Sequence, residues 1–265
     1  MAIKGVDFGR YTVWGGSQTA KQPVDFVIAG LTSGDHFTER GEKNIEVVKS
    51  EPIKMLYHFY EFGMNWLPQV DISIEAMYMT GAYAIWWDFE SSGNPLASNY
   101  RLAHSMKRVS LESAEAVHAL KEEFDDRVGW YLNFDDYGRV KQYAPKSLSE
   151  SELWIAFPHG SNQYPRPGYV SPEKFWPQTG RPDGDWLIHQ YSWVGPSEDY
   201  GVENHKEKKG IDLDYINPDR NLYEWLGIEV QPNEPENPPE EKSVYNQALA
   251  DYQTKIIEAG KELKK

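Results

Sequence analysis

The segment Trp86-Trp87-Asp88-Phe89-Glu90 places two carboxylates two residues apart at the end of an apolar run. Side chains alternate along a β-strand, so this spacing predicts that Asp88 and Glu90 lie on one face and Phe89 on the other. Two carboxyl groups in different environments can divide acid and base work, because a raised pKa keeps one protonated while the other stays ionised. A solvated strand end and a calcium site are the alternative interpretations of the same motif.

Two further aspartates belong to apolar runs near the two ends of the chain. Asp7 lies in the first of these runs and Asp212 in the last. Taken singly, each is most simply a capping or turn aspartate. In a closed barrel, however, the first and eighth strands are neighbours. The two aspartates would then meet at one open end of the barrel, the mouth, which also carries Asp88 and Glu90. A mouth with four carboxylates fits glycoside hydrolysis.

Aromatic and amide side chains occur at the ends of the other predicted strands. Such residues can stack on, or hydrogen-bond to, a flat and partly apolar ligand such as a sugar ring. For Tyr131 and Trp154, packing in the core is the alternative explanation. The candidate substrate-binding residues are Tyr57, Phe59, Tyr131, Trp154, Gln190 and Tyr191.

Eight short apolar runs predict the strands that must position these side chains. Near-continuous apolar runs are typical of strands buried on both faces, as in a parallel sheet covered by helices. Residues 137–151 and 158–185 are predicted to be long loops with little helix. The predicted fold is an α/β fold, an irregular TIM-like β/α barrel with few helices in its second half. The runs are 3–8, 25–30, 53–59, 83–89, 128–134, 152–157, 186–191 and 211–214.

Helical patterns fall between several of the runs and carry recognisable end signals. Thr38 is a candidate N-cap, Gly81 follows a helix as a C-terminal glycine, and Ser110 is a candidate N-cap of a later helix. The predicted helices cover 38–49, 65–80, 96–107 and 111–126.

The composition excludes several classes of function. Lys and Arg number 27 against 41 Asp and Glu, so the net charge of −14 argues against nucleic-acid binding. The chain has no Cys, which excludes disulfides, thiolate metal sites and a Cys nucleophile. No apolar run approaches the ~18 residues of a membrane span, so membrane insertion is not expected. The N-terminus shows no secretory signal pattern.

Seven short motifs, in chain order over about residues 3–226, resemble the glycoside hydrolase family 25 muramidases, which are bacterial and phage lysozymes. Two places depart from that family: Phe8-Gly9-Arg10 lacks its usual serine, and Thr32-Ser33-Gly34 lacks its glycine–acidic turn. The matching segments are Gly5-Val6-Asp7, Asp25-Phe26-Val27-Ile28, Tyr57-His58-Phe59, Asp88-Phe89-Glu90, Trp154-Ile155-Ala156, Trp186-Leu187-Ile188-His189-Gln190-Tyr191 and Ile211-Asp212-Leu213-Asp214.

The resemblance implies hydrolysis of the β-1,4 bond between N-acetylmuramic acid and N-acetylglucosamine in bacterial peptidoglycan. It makes Glu90 the general acid and base, and it implies that Asp88 orients the 2-acetamido group that attacks the anomeric carbon. Asp7 and Asp212 would maintain the charge pattern and the acetamido pocket, and Tyr57 would hydrogen-bond the reacting sugar. No metal or cofactor is implied.

Two other activities are compatible with such a barrel. A chitinase-like endo-N-acetylglucosaminidase would normally carry a longer D-x-x-D-x-D-x-E run, which is absent before Glu90. A non-catalytic cell-wall glycan-binding barrel would not need all four carboxylates. The expected setting is the bacterial cell wall, reached as a phage lysin released from the host cytoplasm or as a component carried on a virion.

The C-terminal part differs in composition from the barrel. Residues 1–229 are predicted to form the catalytic barrel, and residues 230–242, rich in Pro and Glu, a solvated linker. Residues 243–265 carry an apolar stripe at helical spacing and are predicted to form one helix. That helix either packs on the barrel, mediates self-association or leads to a wall-binding module.

Overall fold

A computed structural model of the protein describes residues 3–9, 12–92, 94, 106–157, 186–204 and 210–229. The predicted linker and C-terminal helix, 230–265, and the loop 158–185 lie outside the described residues. The strands in chain order are β1 (Lys4–Phe8), β2 (Thr12–Trp14), β3 (Phe26–Ser33), β4 (His36–Phe37), β5 (Lys54–Phe59), β6 (Ala84–Asp88), β7 (Val128–Asn133), β8 (Glu152–Ala156), β9 (Ile188–Pro196), β10 (Val202–Asn204) and β11 (Gly210–Ile216).

Eight of these strands close a barrel in the order β1-β11-β9-β8-β7-β6-β5-β3, and β3 pairs back with β1. Each of the eight apolar runs overlaps one barrel strand, so the prediction of an irregular β/α barrel is confirmed. The remaining strands are short additions. β4 extends β3 as a hairpin, and β2 pairs with β10 in a separate two-stranded sheet.

The last barrel strand runs against the others. β11 is antiparallel to both of its neighbours, β1 and β9, whereas the remaining neighbouring pairs are parallel. The expectation of a wholly parallel sheet is therefore wrong. A parallel return needs a crossover, usually a helix, and the described part of the connection holds only a short 3₁₀ turn and β10. As a result, the start of β11 lies at the mouth where the parallel strands end.

Six helices are present in the described residues. The first two begin and end where their caps predict: Thr38 Oγ1 accepts the Gly41 N–H, and Gly81 adopts a left-handed conformation with φ 63°. The helices are α1 (Glu39–Ser50), α2 (Trp66–Thr80), α3 (Met106–Phe124), α4 (Phe134–Tyr143), α5 (Pro145–Ser149) and α6 (Leu222–Trp225).

Two helix predictions are wrong. Ser110 does not cap a helix but lies inside α3, fully buried. Residues 137–151, predicted as a loop, contain most of α4 and all of α5. Asn133 begins α4 by accepting the Asp136 N–H, and Pro145 stands in the first turn of α5, where its missing N–H costs nothing. Of the predicted helix 96–107, residues 96–105 lie outside the described residues.

Strand alternation sorts the buried side chains into two cores. One core fills the barrel interior and includes Ile28, Met55 and Trp86. The other lies between the sheet and its helices and includes Val6 and Trp87. Consecutive residues of a strand thus point to different cores, which decides which side chains can reach the mouth. None of the described helices has the length and apolarity to cross a membrane.

Candidate active site

The paired carboxylates stand at the mouth end of β6. Asp88 is its last residue and is 4% exposed, whereas Glu90 is half-buried. The backbone here is fixed on both sides, because the Tyr60 N–H donates to the Asp88 carbonyl (3.0 Å) and the Phe89 N–H donates to the Tyr131 carbonyl (3.2 Å). Phe89 itself is fully buried in the outer core. The predicted alternation is therefore present.

The turn after Glu90 is held by a residue that sequence analysis missed. Asp136, fully buried in the first turn of α4, accepts the Ser91 N–H on Oδ2 (2.9 Å). The same oxygen accepts from Asn133 Nδ2 (2.8 Å), and Arg139 forms an ion pair with Asp136 and hydrogen-bonds Ser91 Oγ. The Asn-x-x-Asp spacing, with an N-cap at its first position, was the available signal.

A second group of carboxylates lies where β1 and β11 pair. Asp7 is directly opposite Asp212, as barrel closure predicted, and Gly5 is opposite Asp214. Asp7 is 4% exposed and Asp214 fully buried, while Asp212 is half-buried. Asp214 was not among the predicted site residues. Its spacing of two from Asp212 on one strand puts it on the same face, one step deeper in the barrel.

A chain of hydrogen bonds connects three of the candidate substrate-binding residues to these aspartates. The Tyr131 hydroxyl donates to Gln190 Oε1 (3.1 Å), and Gln190 Nε2 donates to Asp7 Oδ2 (2.9 Å). Trp154 Nε1 donates to Asp214 Oδ1 (2.9 Å). All three donors are buried. Tyr131 and Trp154 are therefore buried, as the core interpretation expects, and are also linked by hydrogen bonds to the residues of the mouth.

Tyr57 reaches the centre of the mouth because two glycines leave room for it. A Cβ on Gly9 would stand 1.9 Å from the Tyr57 hydroxyl, and one on Gly30 would stand 2.1 Å from its Cζ. The Tyr57 ring packs edge-on against Trp154, with centroids 6.0 Å apart. Any side chain at either glycine would displace the tyrosine.

The electrostatics show that all four predicted carboxylates surround the two tyrosines. Burial, and then the charges of Asp7, Asp88, Asp212 and Glu90, raise the pKa of Tyr57 well above its ordinary value. Burial and the same four carboxylates raise the pKa of the Tyr131 hydroxyl. Both hydroxyls therefore stay protonated and can donate hydrogen bonds.

The deeper aspartates also hold their protons more strongly than usual. Burial, and then the charge of Asp214, raise the pKa of Asp7 well above its ordinary value, although the hydrogen bond from Gln190 opposes the shift. Burial likewise raises the pKa of Asp214, and the hydrogen bonds with Asp7 and Trp154 oppose it. Neither carboxyl has an ion-pair partner among the described residues.

The two other candidate aromatic residues differ in position. Phe59, the last residue of β5, is half-buried and in register with Asp88, so it lies at the mouth. Tyr191 is 4% exposed and belongs to the outer core, with its ring 5.7 Å from that of Tyr215. The structure therefore does not bring Tyr191 to the mouth.

His58 takes no part in the mouth. It is fully buried, with Nδ1 2.9 Å from Thr32 Oγ1 and Nε2 3.3 Å from Gln69 Oε1, and its ring stacks on Trp87. Burial lowers the pKa of the imidazole to about 3, so the ring is neutral. Within the described residues, no cluster of three or more His, Asp or Glu side chains could hold a metal ion. The mouth offers acid–base chemistry by carboxyl groups and hydrogen bonding by tyrosines.

No protein-family model matches the sequence, and no curated protein matches it. Several solved structures, however, share its fold. A family 25 glycosyl hydrolase from Bacillus anthracis is 21% identical with a TM-score of 0.59, over 85% of this chain and 93% of that one. The bacterial lysozyme from Streptomyces coelicolor is 16% identical with a TM-score of 0.60, over 86% and 97%. The catalytic domain of an endolysin from a bacteriophage of Listeria monocytogenes is 16% identical with a TM-score of 0.57, over 86% and 96%. The chain thus has the barrel fold of these solved structures.

Proposed function

We propose that the protein is a family 25 glycoside hydrolase, a peptidoglycan hydrolase with N-acetylmuramidase (lysozyme) activity. One observation supports this most: Asp7, Asp88, Glu90 and Asp212 lie at one mouth of a barrel, near enough for their charges to act on the Tyr57 hydroxyl. The solved structures with the same barrel include lysozymes. The bond cleaved is the β-1,4 linkage between N-acetylmuramic acid and N-acetylglucosamine.

Glu90 is the proposed general acid and base. It is half-buried at the rim, whereas Asp88 is almost fully enclosed, so Glu90 is the better placed of the pair to meet a glycosidic oxygen and a water molecule. Its carboxyl proton passes to the glycosidic oxygen as the bond to the anomeric carbon breaks. The resulting carboxylate then takes a proton from the water that attacks that carbon.

Asp88 is proposed to act on the substrate's own nucleophile. The 2-acetamido oxygen attacks the anomeric carbon as the leaving group departs, which gives a cyclic, positively charged intermediate. The Asp88 carboxylate orients the acetamido N–H and stabilises this charge, and the later attack by water restores the original anomeric configuration. No protein atom becomes glycosylated in this route, one of the exceptions to nucleophilic carboxylate catalysis.

The surrounding residues divide into direct contacts and support. Tyr57 and Phe59 at the mouth are proposed to contact the sugar, with the Tyr57 hydroxyl as a donor. Asp212 with Asp7 maintains the negative charge around the acetamido pocket. Gln190, which accepts from Tyr131, holds Asp7, and Trp154 holds Asp214, through the hydrogen bonds described above. The catalytic unit is proposed to be residues 1–229, acting on the bacterial cell wall.

The decisive experiment identifies the reducing end of the products. The full chain is incubated with purified bacterial walls, the loss of turbidity is followed, and the released fragments are reduced and analysed by mass spectrometry. Muramic acid at the reducing end supports the proposal. N-acetylglucosamine there would establish an endo-N-acetylglucosaminidase, and wall binding without release would establish a non-catalytic barrel.

A further inference from the structure

We propose that the carboxyl groups of Asp7 and Asp214 share one proton, and that Asp214 is a positioning residue that holds Asp7 in place through this proton. The functional part of this inference rests on the proposed hydrolase activity. The existence of the shared proton does not, because it can be measured without substrate.

Strand register brings the two side chains together. Asp7 on β1 is opposite Asp212, and Gly5 is opposite Asp214, so Asp214 is the diagonal neighbour of Asp7 on the same face of the sheet. Because Gly5 has no side chain, nothing from β1 stands between them. The two buried carboxyl groups are close enough to act on each other both as charges and as hydrogen-bonding groups.

A hydrogen bond between the two carboxyls requires a proton. An ionised carboxylate is only an acceptor, so two carboxylates cannot bond to each other unless one of them carries a hydrogen. Other donors are already assigned: Gln190 Nε2 donates to Asp7 Oδ2, and Trp154 Nε1 donates to Asp214 Oδ1. Asp214 Oδ2 is buried and receives no N–H or O–H from the described residues. Gln190 thus holds the Asp7 carboxyl and Trp154 holds the Asp214 carboxyl, with the shared proton between the two carboxyls.

The charges around the pair favour retention of the proton. The titratable groups that act on it are Glu90 beyond β6 and Asp212 on β11, both acidic, while the neighbouring groups Tyr57 on β5 and Tyr131 on β7 are neutral donors. None of the described Lys, Arg or His side chains makes an ion pair with Asp7 or Asp214. One proton leaves the pair with a single negative charge, and burial acts in the same direction by raising both pKa values.

The shared proton would preserve the arrangement of the buried side chains at the bottom of the mouth. While it is present, Asp7 is fixed between Gln190 and Asp214. Once it is lost, two buried carboxylates in contact repel each other, and Asp7 must turn away from one of its partners. The acetamido pocket would change shape, so hydrolysis would decline on the alkaline side because of a pair that never touches the substrate.

Infrared spectroscopy of the unliganded full chain tests the shared proton directly. We expect a protonated-carboxyl band that persists at neutral pH and is absent from both Asp7→Asn and Asp214→Asn. Asp71→Asn, which removes an exposed carboxylate on α2, is the matched control and should keep the band. Absence of the band from the wild-type chain at neutral pH would overturn the proposal, whether or not the protein cleaves walls.

The pH profile of kcat/KM tests the positioning role. Asparagine at 214 can donate an amide N–H to Asp7 and accept from Trp154 without a titrating proton, so Asp214→Asn should move the alkaline limb to higher pH. Asp214→Leu should lower kcat/KM at every pH by roughly ten-fold or more, because it leaves Trp154 and Asp7 without their partner. An alkaline limb in Asp214→Asn that coincides with the wild-type limb would refute the positioning role.

Discussion

At the scale of single residues, burial distinguishes the carboxyl groups of the mouth. Glu90 is half-buried, Asp88 is nearly enclosed, and Asp214 is completely enclosed. Removal from water favours the neutral form of a carboxyl group. The depths of Glu90 and Asp214 therefore fit their proposed roles, since the rim residue exchanges protons with substrate and water and the deepest one holds its proton.

The first prediction concerns the acid–base pair. Glu90→Gln keeps the shape of the side chain but cannot deliver a proton, so we expect wall hydrolysis to slow by roughly 10²–10⁴. Asp88→Asn should also lower turnover severely, because the charge opposite the cyclic intermediate is lost. Binding to walls should persist in both variants, as measured by co-sedimentation. Glu115→Gln, an exposed change on α3, is the matched control.

Two results would contradict this assignment. Full activity in Glu90→Gln would show that the site is elsewhere. A sugar ester trapped on Asp88 and detected by intact-protein mass spectrometry, or an inverted anomeric configuration in the product, would refute the substrate-assisted route.

The second prediction concerns pH and stability at His58. Its pKa is lowered to about 3 in the folded chain and is about 6.5 when unfolded. The unfolded chain therefore binds a proton first as the pH falls, and stability is lost between these two values. His58→Gln should remove this loss, so its unfolding free energy should fall by about 3 kcal/mol less than that of wild type between pH 7 and pH 4.

Urea unfolding at the two pH values measures this difference. The raised pKa values of Asp7 and Asp214 change stability in the opposite direction, but that contribution is common to both chains and cancels. His118→Gln, at an exposed position on α3, is the control and should keep the wild-type dependence. An equal loss of stability on acidification in His58→Gln and wild type would contradict the assignment of a neutral, buried imidazole.

At the scale of elements, the site depends on contacts between segments that are distant in sequence. The first turn of α4 holds the turn after β6 through Asp136 and Ser91. The start of β11 faces the end of β1 only because β11 runs antiparallel to it. Alternation along each strand sets the face to which a carboxyl points, and the pairing of neighbouring strands decides which carboxyls come together.

The third prediction concerns the contact between α4 and the turn after Glu90. Asp136→Ala leaves the Ser91 N–H and the Arg139 guanidinium without their acceptor, so we expect a loss of about 1–3 kcal/mol in unfolding free energy. Because Glu90 adjoins the released turn, kcat should fall by more than KM changes. Asp135→Ala, an exposed change in the same helical turn, is the matched control. A variant that loses stability while keeping the wild-type kcat would assign Asp136 a purely structural role.

At the scale of the whole molecule, the strands that close the barrel all precede the C-terminal part of the chain. All eight barrel strands lie between Lys4 and Ile216, and the barrel closes through the pairing of β1 with β3 and β11. α6 then packs Leu222 into the barrel-interior core.

The fourth prediction follows from this closure. A chain truncated after Glu229 should remain folded and monomeric, with the thermal midpoint of the full chain to within a few degrees, by circular dichroism and calorimetry. Its rate on walls should stay within a few fold of the full chain if residues 230–265 only extend or tether the barrel. An aggregated or unfolded product would place the C-terminal residues in the core and move the domain boundary.

Local patterns in the sequence determined much of the framework. Burial on two faces marks the eight strands, caps mark the ends of α1 and α2, and period-two alternation sets Asp88 apart from Phe89. The assumption of a closed barrel was enough to make Asp7 and Asp212 neighbours. The strands, the caps and the alternation are predictable because each depends on residues within a few positions of one another.

Tertiary structure alone decided the direction of β11 and the partners of Asp136 and Asp214. A strand's apolar run is the same whichever way the strand points. The burial of Tyr191 in the outer core, by contrast, follows from alternation, because Tyr191 adjoins Gln190 on β9 and points to the opposite face. Asp214 has no local feature that separates it from a solvated aspartate. Its hydrogen bonds to Asp7 and Trp154 join strands that only the closed barrel brings together, because sequence patterns encode how deeply a side chain is buried but not which distant group it will meet.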